Sequence, residues 1–76
     1  SVGLNIRQIM ENTLRSKAVM VVLAHNHPSG VALPSHEDRV ATRMVREALE
    51  TMGVRLVDHV IVADNDYVSM AESGLL

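Results

Sequence analysis

The sequence predicts a small α/β domain in which helices flank a mixed β-sheet, and three observations support this class. Residues 18–24, AVMVVLA, form a valine-rich apolar run of the kind that builds strands buried on both faces. Apolar residues recur at helical spacing on both sides of that run. Two shorter strand-like segments follow the second helical pattern, which gives the order α-β-α-β-β.

The first element is predicted to be a helix from Asn5 to Ser16. Ile6, Ile9 and Leu14 recur at helical spacing along this segment. Asn5 is a suitable N-cap, because its side chain can accept a hydrogen bond from the backbone of the first turn. We therefore expect an amphipathic helix ahead of the apolar run.

The second helix is predicted to begin after Ser35, which with Asp38 fits the S-x-x-[DE] capping box. Gly53 is expected to end the helix, since glycine readily takes the left-handed backbone of a helix terminus. The predicted core face of this helix consists of Val40, Ala41, Met44, Val45, Ala48, Leu49 and Met52.

The apolar run at residues 18–24 is predicted to be a central strand, yet few segments are available to flank it. Either another chain pairs along its edge and forms a homo-oligomer, or N-terminal strands of the domain are missing from this sequence. Residues 54–63 and 67–70 are predicted to form two further strands. The turn-forming residues Asp64, Asn65 and Asp66 join them.

The composition limits the classes of function. The 76 residues suffice for a single domain, 1–76, and contain no cysteine, so a metal site must use His, Asp or Glu. The longest apolar run is far shorter than the roughly 20 residues of a membrane helix. No basic leader with an apolar segment opens the chain, and we expect a cytoplasmic protein without a membrane partner. A net charge of −2 with one aromatic residue leaves DNA binding possible but unsupported by composition.

The stretch HNHPSGVALPSHED, residues 25–38, contains the groups most able to carry chemistry. His25 and His27 follow the apolar run, and residues i and i+2 of an extended backbone point to the same face. Asp38, in the first turn of the next helix, is available as a third ligand once the loop folds back. Two imidazoles, one carboxylate and one open position are typical of a catalytic zinc site. Ser35 would lie beside the metal, able to donate a hydrogen bond to an oxyanion.

Several of these residues also have structural interpretations. Ser35 and Asp38 taken alone are more often a capping box than a catalytic pair. Asp58 and His59 fall within a predicted strand, where adjacent residues face opposite sides. They could support the zinc site from outside the ligand set, or form a hydrogen-bonded pair near a sheet edge.

An arginine stripe, defined as Arg39, Arg43 and Arg46, lies along one face of the second helix. Glu47 and Glu50 follow Arg43 and Arg46 by four residues. The stripe is therefore interpreted first as a salt-bridged solvated face. A face that contacts phosphate is the weaker alternative.

The spacing His25-x-His27, seven residues, Ser35, two residues, Asp38 resembles the H-x-H-x7-S-x2-D signature of JAMM (JAB1/MPN+) metalloproteases. The segments HNHPSG, PSHED and LVDHVIVADNDYVSM resemble the bacterial RadC group of that superfamily more closely, and the resemblance extends from about Ile6 to Leu76. It implies an α/β layered, JAB/MPN-like (cytidine-deaminase-like) fold, of which this chain would be the C-terminal two-thirds.

The resemblance also implies a function. It makes His25, His27 and Asp38 the ligands of Zn²⁺ and Ser35 the residue that stabilises the tetrahedral intermediate. The expected reaction is zinc-dependent hydrolysis of an amide or isopeptide bond in an unidentified peptide or protein, with an association with DNA repair. The catalytic glutamate of the family precedes the first helix and has no counterpart here, since Glu11 does not match it. The alternatives are a non-catalytic scaffold or interaction domain and a nucleic-acid-binding repair accessory.

Overall fold

The computed structural model of the protein describes residues 4–76 and has the predicted order of elements, α-β-α-β-β. Two helices and a mixed sheet of three strands make up the domain, in agreement with the predicted α/β class. Neither helix in this part of the chain is long and apolar enough to cross a membrane. The elements are α1 (Ile6–Ser16), β1 (Met20–Asn26), α2 (His36–Thr51), β2 (Arg55–Ala63) and β3 (Asp66–Ser69).

Both helices begin as the sequence predicts. Asn5 caps α1 by accepting a hydrogen bond from the backbone N–H of Gln8 at 3.0 Å. Ser35 and Asp38 form a complete capping box at the start of α2. Gly53 follows the C-terminus of α2 with φ of +70°, a left-handed conformation that glycine adopts without steric cost.

The sheet has the order β1-β2-β3, with β1 parallel to β2 and β3 antiparallel to β2. The antiparallel pair is connected by two residues, of which Asp64 is left-handed with φ of 48°. Leu23 pairs with His59 and His25 pairs with Ile61 across the parallel ladder. The register shifts between Val21 and Val22, which leaves one residue of β2 extra at this point.

The main core lies between the sheet and α2. Its fully or nearly buried members are Leu23, Val45, Leu49, Val54 and Leu56. The apolar face of α1 packs against this cluster through Ile6, Ile9 and Met10. The two helices therefore share one core with one face of the sheet.

The prediction that residues 18–24 form a central strand buried on both faces is wrong. β1 lies at the edge of the described sheet, and its burial alternates along the strand. Leu23 faces the core, whereas Met20 and Val22 point away from α2 and remain 62% and 60% exposed. The apolar composition of the run favours burial, but within residues 4–76 no element covers the face of β1 that carries Met20 and Val22.

The core face of α2 also differs from the predicted one. Val40 and Met44 are exposed, while Thr42 is 1% exposed and faces the sheet. The helix thus presents Thr42, Val45 and Leu49 to the core. A polar residue on this face could not be expected from apolar periodicity, and its role depends on what it contacts across the sheet.

Candidate metal centre

The structure brings together the three residues predicted to be metal ligands. His25 and His27 project from the C-terminal end of β1, and Asp38 projects from the first turn of α2. One ligand atom from each residue lies within 4.8 Å of the other two. The two imidazole rings meet edge to face, with centroids 4.9 Å apart. The predicted same-face arrangement of the histidines is thus present, while their role as ligands stays a prediction.

The His27 side chain is held in one orientation by the loop that follows β1. Its backbone N–H continues the sheet pairing by donating to the Val62 carbonyl at 2.8 Å. Its Nδ1 lies 3.0 Å from the Val31 carbonyl, which can only accept, so Nδ1 carries a proton. The lone pair of Nε2 is then available in the neutral ring and faces Oδ2 of Asp38 at 2.9 Å. A backbone carbonyl that accepts a hydrogen bond from the ring nitrogen not facing the metal is a recurring feature of metal-ligating histidines.

The geometry at His25 also fits a bound cation. Its Nδ1 is buried and has no hydrogen-bond partner among residues 4–76, although it lies 3.3 Å from Oδ1 of Asp38. Ligand atoms at about 2.0–2.1 Å from a tetrahedral zinc ion are separated from each other by about 3.3–3.5 Å. The residues present therefore fit a metal ion in donor type, and the distance from His25 Nδ1 to Asp38 Oδ1 fits in spacing.

Asp38 is 8% exposed, and its carboxylate forms part of the capping box of α2. Oδ2 accepts a hydrogen bond from the backbone N–H of Ser35 at 2.8 Å. Burial alone would raise the pKa of Asp38, but the hydrogen bonds with Ser35 and the charges of His27 and His25 outweigh it and lower the pKa below 3.8. The carboxyl group is thus an ionised acceptor at neutral pH.

Ser35 has a structural role as the N-cap of α2. Its position at the cleft also allows a contact with a bound ligand. Its Oγ accepts a hydrogen bond from the backbone N–H of Asp38 at 3.0 Å. This bond uses a lone pair of Oγ, and the Ser35 side chain also forms a hydrogen bond that lowers the pKa of the Asp38 carboxyl group. Ser35 is exposed and lies on the wall of the same cleft as the three candidate ligands.

The cleft at the candidate centre has a volume of about 700 Å³. His25, His27 and Asp38 lie on one wall of it, and Ser35 and Glu37 lie beside them at the start of α2. The remaining lining residues are Leu4, Asn26, Pro28, Ser29 and Ala41. A cleft of this size with polar groups gathered at one point has the general form of a ligand site.

The loop between His27 and α2 depends on Gly30, whose φ is +84°. A Cβ atom at this position would lie 2.7 Å from Oδ2 of Asp64, in the turn between β2 and β3. The loop therefore packs closely against the hairpin turn. Both the backbone angle and the close approach favour glycine at this position.

His59, left open between two interpretations by the sequence, is fully buried and pairs with Thr42, a residue that the sequence did not single out. Nδ1 of His59 lies 2.6 Å from Oγ1 of Thr42, and the His59 ring stacks against that of His25 with centroids 6.0 Å apart. Burial and the nearby charge of His25 lower the pKa of His59, with Asp38 and Asp58 acting in the opposite direction. His59 is therefore a neutral neighbour of the candidate centre.

Asp58 lies on the opposite side of β2 and takes no part in the centre. Its carboxylate accepts hydrogen bonds from the hydroxyl of Ser69 and, at 2.9 Å, from the backbone N–H of Ala71. These bonds join β2 to the end of β3 and the turn that follows. Of the two residues, His59 adjoins the candidate centre and Asp58 stabilises the hairpin.

The arginine stripe lies away from the candidate centre. Nε of Arg46 is 3.8 Å from Glu50, an ion pair with the predicted spacing of four residues. Arg39 and Arg43 are exposed. Together with residues 74–76, the stripe lines a separate cavity of about 250 Å³.

Comparison with known proteins identifies relatives over almost the whole chain. A UPF0758 protein of Pseudomonas fluorescens strain Pf-5 is 52% identical over 68 residues, which make up 90% of this chain and 30% of the relative. UPF0758 proteins of Bordetella petrii and Tolumonas auensis are 51% and 49% identical over 70 residues, or 92% of this chain and 31% of each relative. The chain thus spans about 30% of the length of the curated relatives it matches.

The family model described as a RadC-like JAB domain matches residues 1–75. The match includes β1, the loop after it and α2, which together carry the His-His-Asp group. This chain belongs to the family of RadC-like JAB domains.

Proposed function

We propose that this domain is the metal-binding part of a zinc-dependent hydrolase that cleaves an amide or isopeptide bond in a peptide or protein. The observation that carries the proposal is the convergence of His25, His27 and Asp38, whose ligand atoms lie within 4.8 Å of one another at the wall of a cleft. The fixed ring of His27 and the unpaired Nδ1 of His25 support it, because both place a ring nitrogen beside the Asp38 carboxylate.

The donor set favours zinc among the metals that proteins commonly hold. Two imidazole nitrogens and one carboxylate match the ligands of catalytic zinc sites, which keep a fourth position open for water or substrate. When bound, zinc supplies a Lewis acid that polarises a carbonyl group and makes water nucleophilic at neutral pH. Calcium and magnesium are disfavoured, since both prefer sites made of oxygen ligands.

Ser35 would act on the substrate carbonyl. Its Oγ is held at the wall of the cleft by the bond from the Asp38 N–H, and its hydroxyl would donate to the substrate oxygen. A fixed donor aimed at the oxygen on which charge develops is typically worth about 10²–10³ in rate. The same capping bond holds the Ser35 Oγ in place before substrate arrives.

A general base is still required to take the proton from water and return it to the leaving amine. By the family resemblance this base is a glutamate that precedes α1. Hydrolysis is therefore proposed for a chain that carries such a segment. Lacking a base typically lowers the rate by about 10²–10⁴, so the 76-residue chain is expected to bind zinc and to turn substrate over poorly.

The metal content of the purified chain tests the proposal. We expect one zinc ion per wild-type chain and none in His27→Ala. His36→Ala is the matched control, because His36 is an exposed histidine at the start of α2 that lies outside the His-His-Asp group. This control should retain the metal. A wild-type chain without zinc, or a His27→Ala chain that keeps it, would overturn the proposal and favour a non-catalytic interaction domain.

A further inference from the structure

Two buried polar side chains, Thr42 and His59, connect the candidate metal centre to the core of the sheet. They are 1% and 0% exposed. Oγ1 of Thr42 lies 2.6 Å from the carbonyl oxygen of Asp38 and 2.6 Å from Nδ1 of His59. The plane of the His59 ring is inclined by 25° to that of His25. The pair therefore touches two of the three candidate ligands, Asp38 through its backbone and His25 through its ring.

The hydrogen bonds of Thr42 determine which nitrogen of His59 carries the proton. A threonine hydroxyl has one proton, and the carbonyl oxygen of Asp38 can only accept. If the hydroxyl donated to His59, the 2.6 Å contact with the carbonyl would set two acceptors against each other. Thr42 thus donates to Asp38, and Nδ1 of His59 donates to Thr42. The lone pair of His59 is then on Nε2.

A histidine at position 59 lowers the stability of the core. Nε2 of His59 is buried and has no hydrogen-bond partner within residues 4–76. Burying an imidazole with one unpaired nitrogen lowers stability, which an apolar side chain of similar volume would not do. Packing alone therefore gives no reason for His59, whereas an N–H donor directed at Thr42 does.

The hydrogen bond from Thr42 to the Asp38 carbonyl lies at the N-terminal end of α2, and the ends of a helix are its least stable part. Asp38 lies in the first turn of α2, and Thr42 is one turn further along on the same face. Val45 and Leu49 anchor later turns in the core, but helix ends fray and open locally at low cost. Metal sites tolerate changes of only about 0.2 Å in ligand distances, so a small shift of this turn weakens binding.

We propose that Thr42 and His59 are positioning residues for the metal centre. His59 donates a hydrogen bond to Thr42, and Thr42 holds the first turn of α2 and with it the Asp38 carboxylate. The His59 ring stacks against the imidazole of His25 and restrains its orientation. Neither residue is assigned a contact with the metal or the substrate. The inference rests on the proposed metal binding at His25, His27 and Asp38.

The first test uses the metal-free 76-residue chain, with its histidines labelled with ¹⁵N and a chelator present. Long-range ¹H–¹⁵N correlation spectra distinguish the two neutral forms of each ring. We expect His59 to be protonated on Nδ1 in the wild type and in Thr42→Ser, which keeps the hydroxyl. Thr42→Val removes the acceptor and should abolish this preference. A wild-type His59 protonated on Nε2 would overturn the inference, whatever the metal content.

The second test measures zinc affinity by competition with a chromophoric chelator, together with the melting temperature of the metal-free chain. His59→Leu and Thr42→Val should weaken zinc binding by about 10–100-fold, the usual effect of losing a partner outside the ligand set. Thr42→Ser should restore most of the affinity. His59→Leu is expected to keep the melting temperature, since it removes an unpaired buried nitrogen.

Val45→Ala is the control for a purely structural effect, because Val45 is fully buried on the same helix and outside the hydrogen-bonded chain. It should lower the melting temperature and leave zinc affinity unchanged. If His59→Leu and Thr42→Val instead behave like Val45→Ala, the pair only supports the core and the inference is wrong. A wild type that takes up no zinc overturns the proposed function as well, so the two failures are distinguishable.

Discussion

Nε2 of His27 lies 2.9 Å from Oδ2 of Asp38, although Nδ1 of the same ring already donates to the Val31 carbonyl. Two acceptors at this distance repel each other unless a proton or a metal ion lies between them. A zinc ion bound between the two atoms would remove the conflict and would also occupy the unpaired Nδ1 of His25.

Zinc should therefore stabilise the folded chain strongly. A ligand present at about 100 times its dissociation constant contributes about 2.7 kcal/mol, which raises the melting temperature of a domain this small by roughly 10–20 °C. We expect that rise in the wild type and in His36→Ala, measured by thermal unfolding, and its reversal by a chelator. His27→Ala should show no rise. A shift of equal size in His27→Ala would mean that zinc binds elsewhere.

The sequence predicts that His25, His27 and Asp38 come together because each part of this arrangement depends on local rules. His25 and His27 share a face through the two-residue period of a strand, and Asp38 is fixed at a helix start by the capping box with Ser35. In the structure Gly30, whose φ is +84°, lets the loop between them fold back closely. None of these inferences requires knowledge of a distant contact.

His59 could not be assigned to the centre for a physical reason. Strict alternation along β2 from the buried Leu56 would turn Asp58 towards α2 and His59 away from it. The register shift opposite Val21 and Val22 adds one residue, Val57, and reverses this alternation. The shift follows from the pairing of β1 with β2, a long-range feature that the local pattern does not contain. The exposure of one face of β1 could not be predicted for a similar reason, because an apolar run does not specify which element covers it.

The two roles of Ser35 can be separated by choice of substitution. Ser35→Ala removes the N-cap and should cost about 1 kcal/mol of stability, whereas Ser35→Gly should cost only a few tenths. Both remove the hydroxyl proton. In a chain extended by a segment that supplies the general base, both variants should therefore lose about 10²–10³ in the hydrolysis rate, and Ser35→Thr should lose little.

Urea unfolding and peptide hydrolysis measured on the same variants of Ser35 check this prediction. The decisive comparison is Ser35→Gly, which is nearly wild-type in stability. If it also hydrolyses substrate at the wild-type rate, Ser35 is a capping residue alone. If it is slow, the loss cannot be attributed to the helix.

The loop after His27 should be sensitive to a single methyl group. Gly30→Ala combines a left-handed backbone with a Cβ placed 2.7 Å from Oδ2 of Asp64, whereas Gly53→Ala has similar strain and no atom within 4 Å. We expect Gly53→Ala to cost about 1–2 kcal/mol and Gly30→Ala to cost more than that. Chemical denaturation of the two variants checks the difference. Equal costs would mean that the Asp64 side chain moves aside freely.

Asp58 should account for part of the loss of stability in acid. Burial alone would raise the pKa of Asp58, but hydrogen bonds from Ser69 and from the backbone N–H groups of Ala71 and His59, with the charge of His59, outweigh it and lower the pKa below 3.8. The unfolded chain therefore takes up the proton at a higher pH than the folded chain. The stabilisation is complete above 3.8 and is lost as the pH falls through the pKa of the folded state.

Urea unfolding of the metal-free chain at decreasing pH, with Asp58→Asn and Ser69→Ala beside the wild type, measures this contribution. Asp58→Asn should be less stable at neutral pH, because it loses an ionised acceptor, and should lose less stability below 3.8. Ser69→Ala removes the largest of the stabilising bonds, so its pH dependence should lie between those of the other two chains. If the free energy of unfolding falls equally steeply in acid for the wild type and Asp58→Asn, the loss of stability is due to other carboxyl groups. The hairpin would then derive its stability from packing instead of from this carboxylate.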